Sequence, residues 1–419
     1  MNAIEEIIHS TIGDYPFLRK PIVLMYQRLF SVLPVKDYQI SEFIQRPGYF
    51  YGFHDTCPWS PDDLKILAHK FDPTKSMRQI ETGPIEIGFF KDASLKDFKT
   101  LSYTHAWNWQ QGSSLNWVGR NIIFNDFYKG ESIANIIDLN GNILKTLPCH
   151  VACVSNNGRF GLTFSFERLG RGMPGYGYQF VGKAIKKYRD IETLGIIDIE
   201  TLEHKKLYSL EEIAQIEPRD AMNNSFHFFS HCLISKNDER FLFFHNWVRP
   251  SGKLEVRMFS SDVTGKDLFL FPGSQFSHIT WKDNETILAY FKPYNRKLGY
   301  YCVKDLHTDS VRIAERFLDL DGHPQFSSDQ RYIVTDTYPD RFRNQYLKLY
   351  AFETESGIVL AKLRIPFPYR NDRRCDFHPR WSRDNSMICF DSAHNNIRSL
   401  CIISTPLQFK QYDANTSLK

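Results

Sequence analysis

From about residue 48 onward the chain alternates short apolar runs with polar turns, which is the pattern of a β-rich protein. Most of the turns carry a Ser-x-Asp or Ser-x-Asn motif, and an apolar run such as Ile388-Cys389-Phe390 follows each turn. The short polar side chains of this motif hold a tight turn between two strands. Seven units align on the motif, with turn positions at residues 60, 118, 155, 235, 282, 327 and 382.

The spacing of these units predicts the architecture. The successive intervals are 58, 37, 80, 47, 45 and 55 residues, and such intervals hold four strands per unit, as in a β-propeller. We therefore predict an all-β chain folded as a seven-bladed β-propeller with a short N-terminal helical segment. Six or eight blades are the alternatives, because the second and third units are weak. The longest interval carries an insertion near residues 167–190.

The first 34 residues follow a helical pattern instead. Ile4, Ile7 and Ile8 share one face, and Pro21 can open a second helix that runs through Leu29. We predict an N-terminal helical cap over residues 1–47, the propeller over 48–405 and a C-terminal tail over 406–419. A helix lying on a membrane surface is less favoured, because the basic residues of this segment are few and scattered.

Charge and cysteine content narrow the class of protein. The 52 basic and 48 acidic residues give a net charge of +4, which is too balanced to indicate nucleic-acid binding. No run approaches the roughly 18 apolar residues of a membrane span, and the acidic N-terminus is unlike a signal peptide. The eight cysteines form no CxxC pair and often lie in apolar runs, which is typical of a reducing compartment. We expect a soluble, cytoplasmic protein whose oligomeric state the sequence leaves open.

Four histidines stand at one position of the repeat, four residues before the turn: His231, His278, His323 and His378. With 14 histidines in 419 residues, fewer than one would fall at seven aligned positions by chance. The strand before the turn lines the axis of a propeller, so these side chains should converge there. Converging imidazoles suit a divalent metal, Mn or Zn above all, with Fe also possible. Gln325 and His227 are weaker ligand candidates, and the alternative is a structural histidine bonded to a neighbouring blade.

Three local motifs carry a resemblance to a known family. The first is His-Pro-x-Phe/Trp-Ser-x-Asp at His323 and His378, and the others are the segments 106–117, with Gln110-Gln111-Gly112, and 166–178, with Gly175-Tyr176-Gly177-Tyr178. Together they resemble the β-propeller polysaccharide lyases, that is, oligogalacturonate lyases and ulvan lyases, and more distantly the TolB-like propellers. The resemblance implies a metal-dependent lyase that cleaves a uronate-containing, acidic glycan by β-elimination.

In such a reaction a metal or an arginine neutralises the sugar carboxylate, a base removes the adjacent proton, and an acid protonates the leaving oxygen. The resemblance implies two sets of further site residues. The catalytic candidates are His105, Tyr176, Tyr178, Arg168, Arg171 and Asp126. The substrate-binding candidates are Trp109, Gln111 and Arg380.

One position departs from the family pattern. Where a second catalytic histidine is expected, this chain has Asn125-Asp126. The departure favours an alternative function, a non-catalytic propeller that binds glycan or protein within a polysaccharide biosynthesis system. A further alternative is another metal-dependent reaction on a sugar, such as hydrolysis or transfer.

Overall fold

The computed structural model describes residues 16–75, 83–178 and 193–406. Within these residues 29 strands form seven antiparallel sheets. The chain is therefore a seven-bladed β-propeller, as the spacing of the repeat predicts. Two short strands come first: β1 (Tyr38–Gln39) and β2 (Phe43–Pro47).

The first three blades each contain four strands, which follow one another from the axis outward. They are β3 (Tyr49–Phe50), β4 (Ile66–Lys70), β5 (Ile85–Phe90) and β6 (Phe98–Thr104) in blade 1; β7 (Asn116–Val118), β8 (Asn121–Tyr128), β9 (Glu131–Ile137) and β10 (Ile143–Leu147) in blade 2; and β11 (Cys153–Val154), β12 (Phe160–Thr163), β13 (Thr193–Asp198) and β14 (His204–Ser209) in blade 3.

The other four blades follow the same order. They are β15 (Phe226–Ile234), β16 (Arg240–Val248), β17 (Leu254–Asp262) and β18 (Leu268–Leu270) in blade 4; β19 (Ile279–Trp281), β20 (Thr286–Phe291), β21 (Gly299–Lys304) and β22 (Ser310–Arg312) in blade 5; β23 (Gln325–Phe326), β24 (Tyr332–Thr335), β25 (Asn344–Ala351), β26 (Ser356–Arg364) and then β1 in blade 6; and β27 (Arg380–Trp381), β28 (Met387–Ser392), β29 (Ser399–Ser404) and then β2 in blade 7.

The N-terminal strands close the ring. Strand β2 pairs with β29 from Phe43 opposite Ile403 to Pro47 opposite Ser399, so the start of the chain supplies the outer strand of the last blade. Strand β1 adds a fifth strand to blade 6. This arrangement covers strand edges that would otherwise be exposed. The sheets thus include residues 38–39 and 43–47, which the sequence pattern assigned to the N-terminal cap.

The Ser-x-Asp motif holds the hairpin between the first two strands of a blade. In blade 7 the hydroxyl of Ser382 donates to Asp384 (2.6 Å) and accepts the backbone N–H of Met387 (2.9 Å). The serine thereby satisfies a backbone donor where the strand turns back. Equivalent serines with the same two contacts are Ser60, Ser155, Ser235 and Ser327.

Packing between the blades forms the core. One buried cluster joins blades 1, 2 and 7 through residues such as Leu67, Ile122 and Ile402. Another joins blades 6 and 7 through Leu347 and Ile388. All eight cysteines are free, and four of them are fully buried, which agrees with their prediction as small hydrophobic residues.

The described residues include three α-helices outside the sheets: α1 (Pro16–Phe30), α2 (Phe166–Gly172) and α3 (Leu210–Gln215). The helix predicted from Pro21 is part of α1, which begins five residues earlier. Helix α2 lies in the predicted insertion, whose residues 179–192 are outside the described part, as are Ile4, Ile7, Ile8 and residues 407–419 of the tail. Among the residues that the structure describes, no helix is both long and apolar enough to cross a membrane.

Candidate metal centre

The repeat brings three of its four histidines into contact at one end of the axis. The ring centroids of His278 and His323 are 4.0 Å apart, and those of His323 and His378 are 4.2 Å apart. His231 lies further round the ring, 5.4 Å from the ring of Phe53 and 5.4 Å from that of Tyr176. Three of the four predicted histidines therefore lie side by side, and His231 contacts Phe53 and Tyr176 instead.

A carboxylate completes the group. The nitrogens of His323 and His378 and a carboxylate oxygen of Asp376 all lie within 4.8 Å of one another, and all three residues are fully buried. We call this set the His–Asp cluster. Asp376 was not predicted from the sequence, although Asp376-Phe377-His378 has the two-residue spacing that places side chains on one face of an extended segment.

Four polar atoms of the His–Asp cluster lack partners. His323 Nε2, both ring nitrogens of His378 and Asp376 Oδ1 are buried without any hydrogen bond. Leaving such atoms unpaired costs about 1–3 kcal/mol each, so a protein rarely collects several of them at one point. Two imidazoles and a carboxylate are a donor set that divalent transition metals bind. The residues present therefore fit a metal ion.

Asp336 orients both histidines. One of its carboxylate oxygens accepts hydrogen bonds from the ring Nδ1 (2.7 Å) and the backbone N–H (2.8 Å) of His323, and the other accepts the backbone N–H of His378 (3.0 Å). A proton held on Nδ1 leaves the Nε2 lone pair of His323 free for a metal. Burial lowers the pKa of His323, but Asp336 outweighs burial and leaves the pKa above its usual value.

The pKa values of the other two members, His378 and Asp376, suit metal ligands. Burial, assisted by the charge of His323, holds the pKa of His378 well below its usual value, so the ring is neutral at neutral pH. Burial raises the pKa of Asp376, but the adjacent Arg374 guanidinium outweighs it and keeps the pKa low. Arg374 Nε donates to Asp376 Oδ2 across 2.5 Å. A neutral imidazole and an ionised carboxylate are the forms that bind metals.

His278 is held differently from the members of the cluster. Its Nδ1 is 2.9 Å from Asp321 Oδ1, and Ser277 donates to the other oxygen of Asp321 (2.8 Å). Its Nε2 lies 3.4 Å from the hydroxyl of Tyr338, whose side chain is 37% exposed. Asp321, Tyr338 and Arg374 are partly exposed and lie beside His278 and Asp376, and we call these three residues the mouth.

A segment of blade 1 enters the channel beside the histidines. The ring of His54 lies 5.3 Å from that of His323, and its Nδ1 donates to the carbonyl of Pro324 (3.0 Å). Phe53 and Asp55, on either side of His54, each line two small cavities. The sequence placed His54 off the repeat position, and the structure brings it to the histidines through residues 51–58, an irregular segment between β3 and β4.

Arg380, a predicted substrate-binding residue, is instead a buried strut. Its guanidinium is fully buried and donates to Asp391 (2.9 Å), the carbonyl of Gly52 (2.7 Å) and the carbonyl of Phe53 (3.2 Å). All three of these groups belong to the protein itself, so the guanidinium is already engaged between blades 1 and 7. Its contacts hold the segment that carries His54, and this corrects its assignment.

Of the other predicted residues, Tyr176 lies near the cluster. Its hydroxyl accepts a hydrogen bond from Arg374 Nη2 (2.7 Å), so it is one residue removed from Asp376. Gln111 lines the larger cavity. Tyr178 stacks on Phe166 with centroids 4.4 Å apart, and its hydroxyl accepts from Asn125 (2.9 Å).

The remaining candidates lie elsewhere. His105 is 47% exposed and pairs with Asp126 at 3.5 Å between blades 1 and 2. Trp109 packs among the rings of Phe50 and Trp107 beneath Arg398.

Helix α2 carries the two predicted catalytic arginines. Arg168 donates to the carbonyl of His227 (2.5 Å), and Arg171 pairs with Glu167. The weaker ligand candidates are also engaged, because Gln325 bonds the backbone of Trp381 (2.6 Å) and His227 bonds His245 (2.9 Å).

Comparison with known proteins identifies the architecture through structure alone. The sequence matches no family model and no curated protein. Among solved structures, "Oligogalacturonate lyase in complex with manganese" matches with a TM-score of 0.61 and 13% identity over 89% of this chain and 98% of that one. The chain has the fold of oligogalacturonate lyase.

Two further solved structures are also similar to the chain. An oligogalacturonate lyase from Vibrio parahaemolyticus has a TM-score of 0.57 and 12% identity over 90% of this chain and 95% of that one. TolB from Acinetobacter baumannii matches with a TM-score of 0.37 and 13% identity over 71% of this chain and 64% of that one. At 12–13% identity the likeness to the two oligogalacturonate lyases establishes the fold alone.

Proposed function

We propose that the protein is a metal-dependent lyase that cleaves a uronate-containing oligosaccharide by β-elimination. The observation that carries the proposal is the His–Asp cluster, whose buried and unpartnered ligand atoms lie at the axis of the propeller. A solved structure with the same fold is an oligogalacturonate lyase in complex with manganese. The metal of this chain would accordingly be Mn²⁺ or Zn²⁺.

His323, Asp376 and His378 would hold the metal through the atoms that have no partner in the protein. When bound, the metal supplies positive charge that neutralises a sugar carboxylate and makes the proton on the adjacent carbon removable. Arg374 contributes a fixed positive charge next to Asp376 at the mouth. A guanidinium there is placed to bind a second oxygen of the same carboxylate.

His278 is the base that the geometry supports best. Asp321 holds its Nδ1, which orients the ring and leaves Nε2 as the basic nitrogen. Burial lowers the pKa of His278, so the ring is neutral and ready to accept a proton at neutral pH. Its ring touches that of His323 without belonging to the His–Asp cluster.

The reaction balances with one base and one acid. His278 Nε2 takes the proton from the carbon next to the carboxylate, the electron pair forms a carbon–carbon double bond, and the bond to the glycosidic oxygen breaks. The leaving oxygen then takes a proton. Tyr338, whose hydroxyl lies 3.4 Å from His278 Nε2 at the mouth, is the group we assign to donate it. The products are an unsaturated uronate and a new reducing end.

A second candidate function is binding of an acidic glycan without catalysis. It is favoured by Asn125, which stands where the family resemblance implies a histidine and is instead bonded to the backbone of Val151 (2.8 Å and 2.9 Å). His105 and Asp126 form a pair apart from the cluster.

The deciding experiment incubates manganese-loaded protein with a panel of oligouronates and follows the ultraviolet absorbance of the unsaturated product. Product formation that the His278→Gln variant lacks supports the lyase. Binding of the same oligouronates with no product supports the second function. If the protein neither binds nor cleaves any oligouronate of a broad panel, both candidate functions are contradicted.

A further inference from the structure

Helix α1 carries an exposed apolar stripe that the proposed function does not use. Eight of the 22 exposed large apolar side chains in the described part of the chain lie between residues 17 and 38. Four of them, Leu18, Ile22, Met25 and Leu29, fall within an arc of about 60° on the helix. Met25 and Leu29 are 63% and 64% exposed. An apolar patch of this kind marks an interaction surface.

The opposite face of α1 is fixed to the propeller. The ring of Phe30 packs against Phe342 with centroids 5.2 Å apart, and Gln27 accepts a hydrogen bond from Arg343 (3.2 Å). Arg364 then holds the carbonyl of Leu33 just beyond the helix (2.7 Å). The stripe is therefore a rigid part of the surface, turned away from the body on which the helix is packed.

The charge around the stripe selects the kind of partner. Helix α1 contains three basic residues, Arg19, Lys20 and Arg28, and no acidic one. An apolar face flanked only by positive charge is the signature of a helix that lies in the plane of an anionic membrane surface. A second copy of the chain would bring the arginines of two helices together with no acidic residue to pair them.

We propose that α1 docks the protein on an anionic lipid surface through Leu18, Ile22, Met25 and Leu29. This revises the expectation from the sequence, where the basic residues of the segment looked scattered, because the helical spacing places Arg19 and Arg28 on either side of one apolar stripe.

The position of α1 links docking to the mouth. Phe342 and Arg343 belong to the same loop as Tyr338, and Arg28 stacks on Phe367 in the connection that leads to Arg374. A docked helix would hold these loops, and with them Tyr338 and Arg374, close to the lipid surface. The docking itself does not depend on the proposed function, and its test involves no catalysis.

The test is flotation of the full-length protein with two kinds of vesicle, one of phosphatidylcholine alone and one of equal parts phosphatidylcholine and phosphatidylglycerol. We expect the protein to bind the mixed vesicles about tenfold more strongly and to lose that preference at high salt. The double variant Met25→Glu/Leu29→Glu should lose about tenfold or more of the binding. The matched control is Ile143→Glu/Leu144→Glu, which changes two exposed residues on blade 2 and should bind as the original does.

Three results would overturn the proposal. The first is that the unaltered protein fails to float with the mixed vesicles. The second is that the Met25→Glu/Leu29→Glu variant binds them as strongly as the unaltered protein. The third is that light scattering shows the unaltered protein as a dimer, which the variant does not form, while neither protein binds vesicles. Circular dichroism of the variants checks that both doubles are folded.

Discussion

His323 donates its Nδ1 proton to Asp336 across 2.7 Å, and this contact leaves the Nε2 lone pair of His323 buried and unpartnered. The carboxylate thus fixes the tautomer that a metal needs before any metal arrives. The same carboxylate holds the backbone of His378 (3.0 Å), where φ is +44° and the backbone of a non-glycine residue is strained. Asp336 is therefore the residue that assembles the His–Asp cluster.

The first prediction concerns this role. Asp336→Asn keeps the shape of the side chain but removes its charge, so His323 and His378 are less well oriented. We expect the affinity for Mn²⁺ or Zn²⁺ to fall about 10–100-fold, as measured by isothermal titration. Asp329→Asn, the same change at the turn of the same blade, is the control and should bind the metal normally. An unchanged affinity in Asp336→Asn would show that Asp336 does not orient the ligands.

The second prediction separates the base from the metal ligands. His278→Gln should lower kcat on an oligouronate by about 10²–10⁴-fold and leave the metal content of the protein unchanged. Asp321→Asn should cause a smaller fall in kcat, since it only misorients the ring. If His278→Gln instead loses the metal, His278 is a ligand, as the sequence repeat predicted, and another group must act as base.

The third prediction tests the buried strut. Arg380→Met leaves Asp391 buried without its cation and frees the carbonyls of Gly52 and Phe53. We expect the free energy of unfolding in urea to fall by about 3–5 kcal/mol. Changing both partners, as Arg380→Met with Asp391→Leu, should restore part of the loss because no charge is then left unpaired. A single variant as stable as the original would mean that the pair contributes little.

The fourth prediction is a pH dependence of stability from His69. The backbone N–H of Ser113 donates to its Nε2 (3.1 Å), and burial lowers the pKa of His69 to about 3. The unfolded chain binds this proton near pH 6.5 and the folded chain does not, so stability falls as the pH drops from about 6.5 towards 3. The contribution of this residue approaches about 1.4 kcal/mol per pH unit.

Urea unfolding at several pH values measures this slope. His69→Gln should be less steep than the original protein by about that amount between pH 6 and pH 4. Parallel curves for the two proteins would show that His69 is not the titrating group.

The fold was predictable because its signal is repeated. A single Ser-x-Asp motif is a weak signal, but its recurrence along the chain indicates the length of one blade. The structure shows the same turn contacts in five blades. The four histidines were predictable for the same reason, since one position of the repeat places one side chain on the innermost strand.

The rest of the site is only partly repeated. An aspartate lies two residues before the histidine in two of the four blades that carry it, as Asp376 before His378 and Asp321 before His323. His54 reaches the histidines from residues 51–58, an irregular segment between β3 and β4. The burial of Arg380 and Trp109 depends on packing between blades that are distant in sequence, and no local pattern shows it. Tyr176 was suggested by its motif, although its contact with Arg374 needed the fold.

The metal content of the purified protein tests the central claim most directly. After incubation with Mn²⁺ and removal of excess ion, inductively coupled plasma mass spectrometry should find about one metal ion per chain in the unaltered protein. The His323→Ala/His378→Ala and Asp376→Ala variants should contain almost none. His105→Ala, which lies apart from the cluster, should keep the full amount. Full metal content in the Asp376→Ala and His323→Ala/His378→Ala variants, or no metal in the unaltered protein with either Mn²⁺ or Zn²⁺, would contradict the account.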